Sequence, residues 1–152
     1  MKVQEICHRQ VCTLARGDSA LTAARAMRDQ HVGCVVVVDA GSAGQVPVGL
    51  VTDRDIVVAV TALDLAPEEV TLGDIMGAEL YTIQGEERMA DALEVMRARG
   101  IRRLPVVDDA GILSGIVTAD DLLAILSDQV SGLAYLVSRE QRRERERRRV
   151  KV

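Results

Sequence analysis

The chain has 152 residues, the size of one compact unit or two small units sharing a core, so a pair of independent large domains is excluded. Hydrophobic residues make up 48% and charged residues 28%, a globular composition with enough apolar mass for a core. The net charge of −4 is unevenly spread: residues 139–152 hold eight Arg or Lys and three Glu, a local +5, which leaves −9 on residues 1–138.

No apolar run approaches the roughly 18–20 residues that span a bilayer, and the N-terminus lacks the basic-then-apolar layout of a signal peptide. A cytoplasmic protein without membrane contact is expected. Cys7, Cys12 and Cys34 are odd in number with no Cys-x-x-Cys spacing, which suits a reducing compartment. Cys7, His8 and Cys12 could be offered to a metal, but nothing supplies a convincing fourth ligand, and no metal is expected. Because the chain has two tyrosines and neither phenylalanine nor tryptophan, a planar ligand must be gripped mainly by aliphatic side chains; only Tyr81 and Tyr135 could stack on it.

Met1–Gln10 carries no strong period and reads as a lead-in strand or short helix. Val11–Leu14 is a short strand, and Gly17-Asp18-Ser19 supplies the turn and cap for a helix over Ala20–Gln30, with Leu21, Ala24 and Met27 at core-facing spacing. Two apolar β runs, Cys34–Val38 and Val46–Val51, flank the loop Asp39–Gly44 as a hairpin. The second run ends in Gly49-Leu50-Val51-Thr52-Asp53-Arg54-Asp55, a strand that runs straight into a helix over Asp53–Val60. Thr52 is its N-cap, and the carboxylates sit in the first turn, where the helix dipole favours negative charge and where an anion can also be held. Pro67 marks a connection, and Thr71 or Asp74 caps a short turn near Ile75 and Met76.

The same order then returns: strand Tyr81–Ile83, helix Glu86–Arg99, strand Arg103–Val107, turn Asp108–Gly111, strand Ile112–Val117 and a helix from Asp120. A shift of 69 superposes Thr13 on Thr82, Ala23 on Ala92, Met27 on Met96 and Val37-Val38-Asp39 on Val106-Val107-Asp108. After the hairpin loop, three residues longer in the first copy, a shift of 66 places Gly49, Val51, Thr52 and Asp55 on Gly115, Val117, Thr118 and Asp121. An internal duplication follows. We expect repeats at 7–62 and 74–128, a linker at 63–73 and a basic tail at 129–152. The fold class is α+β: two βαββα repeats packed about a pseudo-twofold axis, with a C-terminal helical extension. A copy of about 55 residues is too small to bury its sheet alone, so the two pack face to face and leave a cleft on each side of the axis.

The two ordered copies, with Val35-Val36-Val37-Val38-Asp39, Gly49-Leu50-Val51-Thr52-x-x-Asp55, Arg102-Arg103-Leu104-Pro105-Val106-Val107-Asp108 and Gly115-Ile116-Val117-Thr118-x-x-Asp121, resemble the tandem cystathionine-β-synthase (CBS) domain pair, or Bateman module. The resemblance covers roughly Val11–Ser127, and the chain also looks like the small stand-alone bacterial members. It implies adenine-nucleotide or related adenosyl binding in the inter-repeat clefts: AMP, ADP, ATP or NAD as a regulatory ligand, with no obligatory cofactor. It also implies that Asp55 and Asp121 hold ribose hydroxyls, that Thr52 and Thr118 stand near phosphate or ribose, and that Arg102 and Arg103 reach toward phosphate. Thr13 and Thr82, with Ile56, Leu50, Ile116 and Leu122, would line an aliphatic slot for the base. Gly33 and Cys34 occupy the positions of Arg102 and Arg103 in the first repeat, so the two clefts should differ unless Arg54 or another cation substitutes.

No Ser/His/Asp set and no Gly-x-x-x-x-Gly-Lys loop is present, and His8 and His31 are isolated, so no enzyme is expected. Leu126, Val130, Leu133 and Val137 continue a helical stripe into the Arg/Glu run. A solvated terminal helix is the first reading of that tail, packing on a second subunit the next, and nucleic-acid contact the last, because the acidic body repels phosphate. The leading expectation is a dimeric, non-catalytic sensor that signals to a protein partner; the alternative is an interaction scaffold in which the Thr and Asp pairs are only caps, or a nucleic-acid-linked regulator using the tail.

Overall fold

The structure, a computed structural model, describes residues 1–149, with side chains described through Arg148. A four-residue helix α1 (Val3–Ile6) leads into β1 (Thr13–Ala15), α2 (Ala20–Gln30), β2 (Cys34–Ala40), β3 (Gln45–Thr52) and α3 (Asp53–Ala59). A 3-10 turn at Thr61–Leu63 and α4 (Leu72–Ile75) connect to β4 (Ile83–Gln84), α5 (Met89–Arg99), β5 (Arg103–Val107), β6 (Leu113–Thr118) and α6 (Ala119–Arg149). Two βαββα repeats are therefore present, with a long helical extension.

Each repeat forms a three-stranded sheet in chain order, the first two strands parallel and the last two antiparallel. The duplication extends to irregularities: the antiparallel pairs shift register at Val37/Val38 and at Val106/Val107, positions related by the shift of 69. Successive residues of a strand face opposite sides. Val35 and Val37 pack with Met27, Ile56 and Leu72 in the first repeat's core, whereas Val36 and Val38 join Ile116, Leu50 and Leu113 between the two sheets.

Two sequence expectations shift at the start of the second repeat. The helix expected from Glu86 begins at Met89, and the strand expected from Tyr81 begins at Ile83. Glu87 folds back to accept from the Gln84 amide, which closes a turn, and Asp91 accepts from the Arg88 amide, which makes Arg88 the N-cap.

The short helices are exchanged between repeats. Val3 is fully buried in the second repeat's core, its amide donating to Glu87 O at 2.8 Å and that of Gln4 to Gly85 O at 2.9 Å. Leu72 is fully buried in the first repeat's core, its amide donating to Asp18 O at 2.9 Å and that of Gly73 to Arg16 O at 2.9 Å. The two donors of the first set lie 69 before their counterparts in the second, and the two acceptors 69 after theirs. The segment in front of each repeat thus completes the core of the other.

After α1 the chain crosses β6, where His8 and Ile116 exchange backbone bonds of 2.9 Å in both directions. A Cβ on Gly115 would come 2.8 Å from Cys7 Sγ and 2.9 Å from His8 O; one on Gly49 would overlap Met76 Sδ. These glycines of the repeated Gly-x-Val-Thr stretch are needed because a neighbouring segment passes too close for a side chain.

Candidate functional site

Both Thr-x-x-Asp stretches fold as helix caps. Asp55 Oδ2 accepts from the Thr52 amide at 2.7 Å and the Thr52 hydroxyl at 2.8 Å; Asp121 Oδ2 accepts from the Thr118 amide at 2.8 Å and the Thr118 hydroxyl at 2.7 Å. In return each threonine oxygen accepts from the aspartate's amide. One carboxylate oxygen per repeat is consumed in this way. The other differs between repeats: Asp121 Oδ1 lies 2.8 Å from His8 Nε2, whereas among the described residues no hydrogen bond reaches Asp55 Oδ1. Burial works to raise the Asp121 carboxyl, but its bonds with Thr118 and His8 outweigh burial and hold it below its ordinary value.

Two clefts flank the pseudo-twofold axis. The first, of about 580 Å³, is lined by Cys7–Cys12, Val32, Gly33, Cys34 and Val36 on one side and by Arg103, Ile116, Thr118 and Asp120 on the other. The second, of about 220 Å³, is lined by Leu50 and Thr52 facing Glu79, Leu80, Tyr81, Ile101, Arg102 and Arg103. The duplication maps one onto the other: Val11, Cys12, Val32, Gly33, Cys34, Ile116 and Thr118 correspond to Leu80, Tyr81, Ile101, Arg102, Arg103, Leu50 and Thr52. Each cleft therefore joins the cap end of one repeat to the strand entry of the other.

The difference in volume has a side-chain cause. Tyr81 stands where the first cleft has Cys12, and it is fixed by Arg99 over its ring at 4.6 Å and by its hydroxyl donating to Glu79. Arg102 and Arg103 stand where the first cleft has Gly33 and Cys34. Arg102 reaches Asp120 Oδ1 at 2.9 Å, an exposed pair, while half-buried Arg103 lies close enough to Gly33 that a Cβ there would meet its guanidinium at 3.4 Å. Arg103 alone of the two arginines lines both clefts. Burial pushes the Cys34 thiol up, and the Arg103 charge works against it.

The sequence-derived site residues divide accordingly. Thr52, Arg102 and Arg103 meet at the second cleft with Leu50, and Thr118 and Arg103 meet at the first with Ile116. Asp55 and Asp121 stand behind their threonines and line neither space directly; Asp121 reaches the first cleft through His8. Ile56 and Leu122 are buried in the cores of the first and second repeat and do not line either cleft. Arg54 is exposed on α3, Thr13 pairs with Val36 in the sheet, and Thr82 is exposed beside β4; none of the three is among the lining residues.

Sequence reasoning missed His8, Val11, Cys12, Val32 and Val36 in the first cleft, and Tyr81 and Ile101 as lining groups of the second. The shift of 69 that set Gly33-Cys34 against Arg102-Arg103 also pairs Val32 with Ile101 and Cys12 with Tyr81, so that signal was present. No signal marked His8, because the crossing of its segment onto β6 is a tertiary event. Among the described residues, no three His, Cys, Asp or Glu side chains are grouped to hold a metal ion, and no helix is long and apolar enough to cross a membrane.

A family model of the CBS domain matches residues 3–62 and again residues 72–128. An uncharacterised protein of Methanopyrus kandleri is 37% identical over 125 residues, 82% of this chain and 62% of that relative. A second archaeal relative, from Methanocaldococcus jannaschii, is 33% identical over 120 residues, 79% of this chain and 63% of its own length, so the chain spans under two thirds of both. Among solved structures, a CBS-domain protein from Burkholderia ambifaria superposes with a TM-score of 0.74 at 25% identity, covering 85% of this chain and 96% of that one. The CBS domain pair of protein MJ0100, solved in complex with methylthioadenosine and S-adenosylmethionine, superposes with a TM-score of 0.74 at 26% identity, covering 85% of this chain and 98% of that one.

Proposed function

The chain belongs to the CBS-domain family, as a tandem pair, and from that premise we propose that it is a non-catalytic sensor of adenosyl compounds, working as a cytoplasmic homodimer that signals to a protein partner. The observation that carries this reading is the composite build of the clefts: each sets the Thr-x-x-Asp cap of one repeat against the strand entry of the other. A ligand seated there touches both repeats at once, and it shifts the arrangement of the pair by as much as its affinity for the two arrangements differs. The complex of the MJ0100 pair with two adenosyl compounds supports the ligand class.

Small-molecule sites usually enclose ~300–1,000 Å³, which the first cleft satisfies at about 580 Å³ and the second, at about 220 Å³, does not. The first cleft is therefore the primary site. Val11, Val36 and Ile116 offer aliphatic surface to a purine, Asp121 takes the ribose hydroxyls once His8 swings aside, and Arg103 meets a phosphate or carboxylate. The second cleft accepts a ligand only after Tyr81 or Arg102 moves. AMP, ADP, ATP, NAD, methylthioadenosine and S-adenosylmethionine are the compounds to titrate.

Isothermal titration of the chain with these six compounds, repeated on Asp121→Ala and Asp55→Ala, tests the reading. Binding that Asp121→Ala abolishes and Asp55→Ala leaves largely intact is the expected result. The scaffold reading draws on the engagement of Asp121 by both Thr118 and His8, and it predicts no binding heat and only the ~0.5–2 kcal/mol stability loss of a missing cap. Silence toward all six compounds would refute the sensor reading.

A further inference from the structure

We propose that α6 is a self-docking surface on which two copies of the chain pair antiparallel. The proposal names an interface for the homodimer and so rests on that reading, but not on the ligand. From Leu126 through Arg148 every side chain of α6 is exposed, so most of the helix stands clear of the body. Most helical stability in proteins comes from packing an apolar face, and Gly132 in the interior of α6 lowers its intrinsic helicity. Leu123, Leu126, Val130, Leu133 and Val137 recur at alternating steps of three and four, the seam of a coiled coil, and are between 37% and 66% exposed. With Leu136 beside the seam they leave on the order of 600 Å² of apolar side chain open per copy, so two copies together pass the ~1,000 Å² at which interfaces become specific.

Charge sets the orientation. Residues 119–138 carry Asp120, Asp121 and Asp128 and no Lys or Arg, whereas residues 139–149 carry seven Arg against three Glu. Parallel pairing would set the two basic ends side by side; antiparallel pairing lays each along the acidic first turns of the other helix. The seam accepts that register: Val130 falls level with the partner's Leu133, Val137 with the partner's Leu126, and only Leu123 meets a polar residue, the partner's Glu140. The basic end then lies along the turn that carries Asp120, at the rim of the first cleft, so pairing and cleft occupancy share one surface.

Sedimentation equilibrium of the full chain, of Leu133→Asp and of Val57→Asp, which charges a separate exposed apolar face on α3, tests the interface. A wild-type dimer that Leu133→Asp weakens at least 100-fold and Val57→Asp leaves unchanged is expected, with circular dichroism checking that each variant is folded. Oxidative cross-linking tests the orientation. In the antiparallel register the two copies of residue 137 are about 16 Å apart at 1.5 Å per residue, too far for a disulfide, while residues 126 and 137 adjoin. Leu126→Cys/Val137→Cys should therefore link and Val137→Cys alone should not, against the wild-type background of Cys7, Cys12 and Cys34. A dimer that survives Leu133→Asp overturns the interface and leaves the homodimer reading standing; a wild-type monomer at every concentration overturns both. Linking by Val137→Cys alone overturns the orientation.

Discussion

Replacing Gly115 by alanine tests whether the N-terminal segment is a built wall of the first cleft. The new Cβ would sit 2.8 Å from Cys7 Sγ and 2.9 Å from the backbone oxygen of His8, which is itself tied to β6 by two bonds of 2.9 Å. The backbone cannot step aside without losing those bonds. Overpacking of this kind costs ~1–3 kcal/mol and each backbone bond nets ~1 kcal/mol, so a loss of about 2–3 kcal/mol is expected, because yielding relieves one part of the cost as it incurs the other. For a chain of this size that lowers Tm by about 5–10 °C. The matched substitution Gly49→Ala presses mainly on Met76, an adaptable thioether side chain, and should cost less. Differential scanning calorimetry gives the two values, and hydrogen exchange at the His8 amide shows whether the crossing has loosened. Equal destabilisation of the two variants, or unchanged protection of that amide in Gly115→Ala, would refute the reasoning.

Arg103→Ala should weaken phosphate-bearing ligands about 10–100-fold, the value of a hydrogen bond to a charged group, and leave methylthioadenosine nearly untouched; titration of ATP and methylthioadenosine in parallel checks it. The same variant removes the positive charge that opposes burial at Cys34, so alkylation of that thiol, slow in the wild type, should slow further across pH 8–10, and faster labelling would contradict the account. Asp121 is held below its ordinary value in the fold, so its contribution to stability is complete above about pH 4 and is lost as pH falls through the folded value. Asp121→Asn should flatten the acid limb of the stability curve below about pH 4. Asp74, bonded to Thr71, and Asp91, bonded to Arg88, are also held low and keep part of that limb, so a variant curve parallel to wild type would discount Asp121. Tyr81→Cys gives the second cleft the residue of the first and should raise the number of ligands per chain from one toward two, read as calorimetric stoichiometry.

Local signals carried most of the fold. Ala20–Gln30 and Arg103–Val107 match the structure residue for residue, because Ser19 is a true cap for the first and the apolar stretch Leu104–Val107 with a following turn frames the second. Around Gly85 the periodicity began too early, because capping by Arg88 and Glu87 depends on bonds that no apolar pattern encodes. The candidate site was legible where repetition marked it, at Thr52, Thr118 and Arg103. The resemblance puts Ile56 and Leu122 at the base slot, whereas in the structure each side chain packs into the core of its own repeat.

The exchange of α1 and α4 explains why the clefts differ more than the repeats do. Seven equivalent positions are buried in both cores, from Val3 and Leu72 to Ile56 and Leu122, so drift there is constrained by packing on every side. The cleft walls lie where one repeat meets the lead-in of the other, and a change there disturbs only the space between them. Gly33 against Arg102 is such a change, outside the core cluster of either repeat, whereas Cys12 against Tyr81 reshapes its cleft from the edge of the core, Cys12 being buried in the first repeat's core and Tyr81 packing on the second's. Arg103 is the exception, since its guanidinium serves both spaces. A ligand anion that draws Arg103 fully into the first cleft withdraws it from the second, so occupancy of one should lower the affinity of the other even in a variant opened at Tyr81.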